Sequence, residues 1–135
     1  MIFFSYYIME DQMSRYYTED HEWIEIENDV VTIGISSHAA DELGEIVFVE
    51  LPEAGASVSK GDEFASVESV KTVSGIYAPL DGEIIETNQT VVDTPELINQ
   101  SPYESGWLIR VKTNQTNYTE DLMDEPSYKS FLETI

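Results

Sequence analysis

The chain has 135 residues, 41 % of them hydrophobic, and a formal net charge of −21 at pH 7, since six Lys and Arg residues stand against 27 Asp and Glu. This length and apolar content fit one folded domain, and the charge excludes nucleic acid as a ligand and disfavours an anionic membrane surface, because both are bound by clusters of Lys and Arg. The absence of cysteine from the sequence excludes a disulfide, a thiolate metal site and a thiol nucleophile.

Residues 1–14 are expected to be an extension outside the fold, and residues 15–135 to form the domain. The apolar stretch MIFFSYYIM (1–9) is too short to span a bilayer, lacks the cationic start of a signal peptide and is not Arg-rich like a mitochondrial presequence. Met9 and Met13 are alternative starts of the chain. These features favour a cytoplasmic protein of a bacterium or archaeon over one of the mitochondrial matrix.

Beyond the extension, short apolar runs with a period of two predict a mainly β fold. WIEIE (23–27) and VVTIGI (30–35) flank an Asn-Asp turn and predict a hairpin. Ser37 is expected to cap a short helix after this hairpin. The early carboxylate of Asp41 suits the dipole of that helix, and Gly44 is expected to end it.

Five further strands are predicted from the same alternation, each bounded by turn residues. They are EIVFVEL (45–51), EFASVES (63–69), TVSGIYAP (72–79), EIIETN (83–88) and GWLIRVK (106–112). Four apolar side chains of this region are expected to contribute to or flank the interior: Val67, Val70, Ile76 and Ile84. In the tail, Thr119 is expected to cap one helical turn, and Pro126 to begin a helix that ends near Leu132.

The tripeptide Gly-Glu-Ile occurs twice, at Gly44 and at Gly82, and each copy continues as a strand, a turn and a valine before a further turn. Two related β units can pack as a quasi-twofold sandwich that buries both apolar faces. Lys71 lies between the two copies, at the tip of the hairpin that EFASVES and TVSGIYAP are predicted to form.

Lys71 is one of only six cationic side chains in the sequence. The predicted strands on both sides end at this lysine, so its side chain should project outward. Glu68 precedes it by three residues and offers an acidic recognition spot. Small or short polar neighbours leave the tip accessible to a modifying enzyme: Ser66, Ser69, Thr72 and Ser74. Such a lysine suits the anchor of a swinging prosthetic group, and the alternative is an ordinary solvated lysine on a turn.

Several stretches that together span residues 16–133 carry a resemblance to a known family: YTEDHEWIEI, GEIVFVELP, VESVK, IYAPLDGEIIETN and SPYESGW. In these stretches, and in its acidic helical C-terminus, the chain resembles the H protein of the glycine cleavage system, a family of lipoyl carriers. The resemblance implies a barrel-sandwich hybrid of two antiparallel sheets (lipoyl/biotinyl-like), with a short helix after the first hairpin and helices at the C-terminus.

The resemblance also implies that Lys71 carries lipoate in amide linkage. Amidation removes the lysine charge, and the dithiolane supplies the redox sulfur that a cysteine-free chain lacks. Without catalytic residues of its own, the carrier would take the aminomethyl group of glycine from glycine decarboxylase (P protein) to the aminomethyltransferase (T protein). It would pass electrons to dihydrolipoyl dehydrogenase (L protein), after a lipoate-attaching enzyme had modified it.

For the cationic aminomethyl cargo, the resemblance points to Glu22 of the HEW motif as the main docking carboxylate, with help from Asp20. Relatives commonly have an aspartate four residues after the lipoyl-lysine, where this chain has Gly75. Glu42 on the short helix is expected to compensate if it faces the same cleft. The alternative is that these carboxylates are solvated acids on an acidic surface.

Other readings of the sequence explain less of it. A biotin carrier usually has methionines beside its lysine, whereas Val70 and Thr72 stand here, and a lipoyl domain of a 2-oxo-acid dehydrogenase lacks the HEW hairpin and the C-terminal helices. An H-like protein that mainly donates lipoate to other complexes stays an open alternative, as does an acidic β-sandwich adaptor in which Lys71 has no role. A zinc site is not expected, because His21 and His38 are far apart in the sequence and no third ligand has a suitable spacing.

Overall fold

The computed structural model describes residues 15–135, which form nine strands, four short α-helices and one 3-10 turn. The strands are β1 Arg15–Tyr17, β2 Glu22–Glu27, β3 Val30–Ile35, β4 Ile46–Glu50, β5 Ser57–Val58, β6 Glu63–Ser69, β7 Val73–Tyr77, β8 Gly82–Thr87 and β9 Ile109–Lys112. The helices are α1 Ser37–Leu43, α2 Gln89–Asp93, α3 Leu97–Gln100 and α4 Glu125–Leu132, and the 3-10 turn is Tyr118–Asp121. The predicted extension, residues 1–14, lies outside the described residues.

The strands form two antiparallel sheets, one with six strands in the order β1-β2-β3-β9-β8-β5 and one with three in the order β4-β6-β7. The predicted mainly β fold, a barrel-sandwich hybrid of two antiparallel sheets, is confirmed. So are the first hairpin, the short helix after it and a helix near the C-terminus. The last strand is shorter than predicted, because it begins at Ile109.

The core lies between the sheets and is built from alternate residues of facing strands. Val67, Ile76 and Ile84 are buried there, as predicted. Val70 is not: its side chain is 66 % exposed. The reason is its position in the tight turn between β6 and β7, beyond the last residue whose side chain can reach the space between the sheets.

The sequence repeat is only partly reflected in the fold. The strand of the first copy, β4, lies in the three-stranded sheet, and that of the second copy, β8, lies in the six-stranded sheet. After β8 the second copy continues into α2 and α3, which the alternation did not predict. Asn88 starts α2, since its Oδ1 accepts a hydrogen bond from Thr90 N (3.2 Å) while its Nδ2 donates to the carbonyl oxygens of Ser105 and Trp107.

The cap of α1 lies one residue earlier than predicted. The Oγ of Ser36, not that of Ser37, accepts the hydrogen bond from Ala39 N (3.2 Å), which leaves Asp41 beyond the first turn. Gly44 ends this helix as predicted. Its φ of 82° lies in the left-handed region, where a residue with a side chain is strained.

The C-terminal segment also differs by a few residues from the prediction. The 3-10 turn follows Asn117, which makes no side-chain cap bond, so Thr119 lies inside the turn and does not cap it. In α4, Pro126 is the second residue, and the carboxylate of Asp124 caps the helix by accepting a hydrogen bond from Ser127 N (2.9 Å). A proline is tolerated there because the first turn of a helix has no partner for its N–H groups.

Gly34 provides the space for Trp23, its neighbour across the β2–β3 ladder. The indole is fully buried and donates a hydrogen bond from Nε1 to the carbonyl of Pro102 (3.0 Å). A Cβ built on Gly34 would lie 2.6 Å from Cζ2 of Trp23. The glycine is therefore required by packing, and not by backbone conformation.

We expect Gly34→Ala to lower the free energy of unfolding by about 1–3 kcal/mol, because a fixed indole cannot make room for the added methyl group. Urea unfolding followed by tryptophan fluorescence measures the change. Gly75→Ala in β7 is the matched control, since the Cβ would there meet only the exposed, flexible carboxylate of Glu63. Equal losses in the two variants would contradict the packing role of Gly34.

Candidate functional site

Lys71 lies in a tight turn that connects β6 to β7, and its side chain is exposed as predicted. Ser69 holds this turn. Its backbone N donates to the carbonyl of Thr72 (2.8 Å), and its Oγ accepts hydrogen bonds from the backbone N of both Lys71 and Thr72 (3.1 Å each). Ser69 is only 5 % exposed, so beyond being a small neighbour of the tip it is a buried serine that fixes the backbone of the lysine.

The turn rests on the segment that follows α1. The backbone N of Val70 donates to the carbonyl of Glu45 (3.0 Å). The aliphatic stem of Lys71 passes over Gly44, where a Cβ would lie 3.1 Å from Cε of the lysine. Gly44 therefore has two roles, since it ends α1 and leaves room for the lysine side chain.

Asn99 of α3 fastens this supporting segment. Its Nδ2 donates to the carbonyl of Gly44 (2.8 Å), and its Oδ1 accepts from the backbone N of Ile46 (3.0 Å). The two bonds lie on either side of Glu45, whose carbonyl receives Val70. Sequence reasoning missed Asn99, because α3 itself was not predicted and nothing in the local sequence connects this residue with the turn of Lys71.

Glu22 is buried, with 3 % of its surface exposed. Its Oε1 accepts a hydrogen bond from the hydroxyl of Thr18 (2.7 Å), and its Oε2 accepts one from the backbone N of Tyr77 (3.2 Å). Glu22 belongs to the six-stranded sheet and Tyr77 ends β7 of the other, so this carboxyl group connects the two sheets next to the strand that follows Lys71.

Burial raises the pKa of Glu22 to about 7, and the negative charge of Asp20 acts in the same direction. The hydrogen bonds from Thr18 and Tyr77 oppose this shift, since they favour the ionised form. Near neutral pH a substantial fraction of this carboxyl group is thus protonated. A cationic group placed beside it would favour ionisation and would lower its pKa.

Asp20 and Glu42 are both exposed, and both lie near His21, the residue before Glu22. Burial and the proximity of His38 lower the pKa of His21, whereas the carboxylates of Asp20 and Glu42 act to raise it. The structure thus brings α1, which carries Glu42, to the loop that precedes Glu22. Gly44, under the stem of Lys71, is at the end of this same helix.

The imidazole rings of His21 and His38 are in contact, with 4.7 Å between their centroids, although they are far apart in the sequence. The Nδ1 of His21 lies 2.8 Å from the hydroxyl of Tyr128 on α4, which lies 2.8 Å from Oγ of Ser36. Among residues 15–135, no group of three His, Cys, Asp or Glu side chains has the geometry to hold a metal ion. His21 is instead part of the polar contacts between α4 and the loop before β2, and His38 of α1 packs against its ring.

The space beside Gly75 is occupied by another acid. A Cβ built on Gly75 would collide with the carboxylate of Glu63, whose strand pairs with β7. Glu68, the acidic residue three positions before Lys71, is exposed on β6 and is paired with Phe48 on one side and Val73 on the other. Sequence reasoning missed Glu63, because its proximity to Gly75 depends on the register of the two strands.

These features can be compared with known proteins. A sequence profile described as "Glycine cleavage H-protein" matches residues 15–135, the whole described domain. The chain belongs to the glycine cleavage H-protein family. The resemblance noted in the sequence is therefore confirmed, and with it the chain's place as an H protein of the glycine cleavage system.

Individual relatives of the family agree with this assignment. The chain is 47% identical over 116 residues to a glycine cleavage system H protein of Staphylococcus epidermidis, covering 86% of this chain and 92% of the relative. It is 47% identical over 117 residues to that of Bartonella quintana, covering 87% and 96%. The crystal structure of an H protein from Mycobacterium marinum superimposes with a TM-score of 0.82 at 40% identity, covering 90% of this chain and 98% of that one.

No helix within residues 15–135 has the length and apolar character needed to cross a membrane.

Proposed function

We propose that the chain is a non-catalytic lipoyl carrier whose lipoate is attached in amide linkage to Lys71. The observation that carries the proposal is the position of this lysine: its side chain is exposed, while its backbone is held by Ser69, by the carbonyl of Glu45 and, through Gly44 and Ile46, by Asn99. A fixed backbone with a free amine suits both the modification and the presentation of a prosthetic group. Glu68 is proposed to contribute to recognition by the lipoate-attaching enzyme.

Lipoate supplies the dithiolane, whose disulfide can be opened, loaded with the aminomethyl group of glycine and reoxidised. We propose that the partners are glycine decarboxylase, the aminomethyltransferase and dihydrolipoyl dehydrogenase, and that the protein works in the cytoplasm. The residues of this chain perform no bond chemistry in this scheme. Their tasks are to fix the point of attachment and to bind the cargo between transfers.

For the cargo, we propose three carboxylates of this chain as ligands. Glu22 is the proposed main ligand of the ammonium group, since its buried carboxyl group can provide a charge-assisted hydrogen bond away from bulk water. Asp20 and Glu42 are proposed to assist from the loop and from α1, because both act electrostatically on the adjacent His21. At the position of Gly75, Glu63 is a further candidate that supplies an acid from the neighbouring strand.

We expect Glu22→Ala to shorten the lifetime of the methylamine-loaded carrier several-fold and to leave lipoylation of Lys71 unchanged, because the carboxylate is proposed to bind the ammonium group of the cargo and makes no contact with Lys71. The release of ammonia and formaldehyde, measured without the transferase, gives this lifetime. Glu27→Ala at the exposed end of the same strand is the matched control. Equal release rates in wild type and Glu22→Ala would mean that the cargo is not sheltered at Glu22.

The carrier function itself is tested with lipoylated protein, glycine and a purified glycine decarboxylase. The expected result is an aminomethyl adduct on the carrier, seen in the intact mass and removed when the aminomethyltransferase and tetrahydrofolate are added. A fully lipoylated chain that the decarboxylase never loads would contradict the proposed role in aminomethyl transfer.

A further inference from the structure

Among residues 15–135, the exposed large apolar side chains are concentrated on the three-stranded sheet that carries the turn of Lys71. Seven large hydrophobic residues of the described chain are exposed, and five of them belong to the three-stranded sheet or its turn: Val47, Phe48, Val70, Val73 and Tyr77. The other two, Ile85 and Ile135, lie elsewhere and singly. Scattered exposed residues need no explanation, but a cluster on one small sheet indicates a surface that contacts another molecule.

A β-bulge in β4 turns the side chain of Phe48 outward. If the alternation that starts with the buried Ile46 continued, Phe48 would point into the core and Val49 to solvent. The pairing with β6 shifts between Ile46 and Phe48, so Phe48 stands opposite Glu68 and is 49 % exposed, while Val49 is buried. Bulges often occur beside functional sites, where they re-aim a side chain.

The bulge completes an apolar row with an acid at its centre. In register across the sheet, Phe48 is next to Glu68, and Glu68 is next to Val73, two residues beyond Lys71. The next residues on this outer face include further carboxylates, those of Glu50 and Glu63. Lys71 is the one cation on the three strands and the connecting turn, and amide formation would remove its charge.

We propose that this outer face, defined by Phe48, Glu68, Val73 and Tyr77, is the surface on which the lipoate-attaching enzyme docks. The inference deepens the proposed lipoylation of Lys71 and rests on it. The partner surface is expected to be apolar opposite Phe48 and Val73 and to carry Lys or Arg opposite the carboxylates.

The attaching enzyme, and not the later partners, is the occupant that the geometry favours. Before modification the amine is at the end of a stem of four carbons, so an enzyme can reach it only if its surface comes close to the turn of Lys71. The turn is held against Glu45, the residue directly before β4, by the hydrogen bond from the backbone N of Val70. An enzyme that encloses the lysine must therefore also cover the nearest part of the outer face, whereas later partners can be reached by the much longer lipoyl-lysine arm.

The test is steady-state lipoylation of the unmodified chain by a purified lipoate ligase with lipoate and ATP. Phe48→Thr and Val73→Thr remove apolar contact but keep a residue suited to a strand. We expect each to raise KM for the chain about tenfold, the effect of one well-packed interface residue, with little change in kcat. Ile85→Thr is the matched control, since Ile85 is exposed to a similar degree (43 %) on β8 of the other sheet, and its KM should equal that of wild type.

A second pair of variants tests the charge. Glu68→Gln is expected to raise KM at low salt and to lose most of this effect at high salt, where charge attraction is screened. Glu83→Gln on β8 changes the net charge equally but lies on the other sheet, and it should leave KM unchanged. Circular dichroism and the midpoint of unfolding establish whether each variant is folded. If Phe48→Thr is unfolded, the KM of Val73→Thr, which preserves the shape of the side chain, tests the docking surface.

Each outcome separates the inference from the proposed function. If wild type is lipoylated at Lys71 and Phe48→Thr, Val73→Thr and Ile85→Thr share its KM, the docking surface is wrong while the carrier function stands. If Lys71 of wild type gains no lipoyl group at all, both are wrong. A change from dimer to monomer in Phe48→Thr, with an unaltered KM, would assign this face to a second copy of the chain and would likewise overturn the proposal.

Discussion

Lys71→Arg is expected to abolish lipoylation of the chain completely. Arginine keeps a long side chain and a positive charge, but its guanidinium offers no amine with the nucleophilicity of lysine, so the amide cannot form. The turn itself should survive, because Ser69 and Glu45 bind the backbone of the turn and not the lysine side chain. The measurement is the intact mass after coexpression with a ligase and lipoate, compared between wild type and variant.

Lys60→Arg is the control for this experiment. Lys60 also lies in an exposed turn, but its amine is paired with the carboxylate of Asp121 (3.0 Å), the last residue of the 3-10 turn. The Lys60→Arg variant should gain the full lipoyl mass. A lipoyl group on Lys71→Arg, or its loss from Lys60→Arg, would show that another lysine is the site of attachment.

Glu22→Gln is expected to be more stable than wild type at pH 8, with a free energy of unfolding higher by up to about 3 kcal/mol. The pKa of Glu22 in the folded protein, about 7, lies above the ordinary value of a glutamate, so the folded state binds this proton more tightly than the unfolded state. The free energy of unfolding of wild type should therefore fall as pH rises from about 4.5 to 7, and the loss should be complete above that range. Glutamine stays neutral and can retain a hydrogen bond from Tyr77, so the variant should lack this loss.

Urea unfolding at several values between pH 5 and pH 8 measures the difference between wild type and Glu22→Gln. The two proteins should be of similar stability at pH 5, and the variant should be the more stable at pH 8. Glu27→Gln, an exposed change on the same strand, should follow wild type throughout. A variant that is less stable than wild type at pH 8 would mean that the ionised carboxylate stabilises the fold, contrary to the effect expected of its burial.

The position of Lys71 was predictable, because it depends on local sequence. Two runs with a period of two stop at one lysine, which is sufficient to place it at a hairpin tip. The support under that tip was not predictable. Asn99 reaches it from α3, a short helix whose N-cap residue makes no side-chain hydrogen bond, and the hydrogen bonds of Asn99 connect residues that are remote along the chain. Long-range contacts of this kind leave no periodic signal in a single sequence.

The failures elsewhere have related physical causes. Alternation predicts which face of a strand a residue occupies only as long as the ladder has no extra residue, and the bulge in β4 reverses the positions of Phe48 and Val49. Sequence distance likewise gave no indication that His21 and His38 touch. Of the proposed docking carboxylates, Glu22 was indicated by the resemblance of the HEW motif, but its burial and its bond to Tyr77 depend on how the two sheets meet.

If Lys71 carries the proposed lipoyl arm, its fixed backbone has a consequence for transfer between enzymes. Since the turn is tied to Glu45 and, through Gly44 and Ile46, to Asn99, the α-carbon of the lysine acts as a fixed pivot, and all of the search by the prosthetic arm is made by single-bond rotations beyond it. The cargo is then confined to a shell of defined radius on one side of the protein. Its effective concentration at an enzyme bound there depends on the length of the arm and is not diluted by motion of the hairpin.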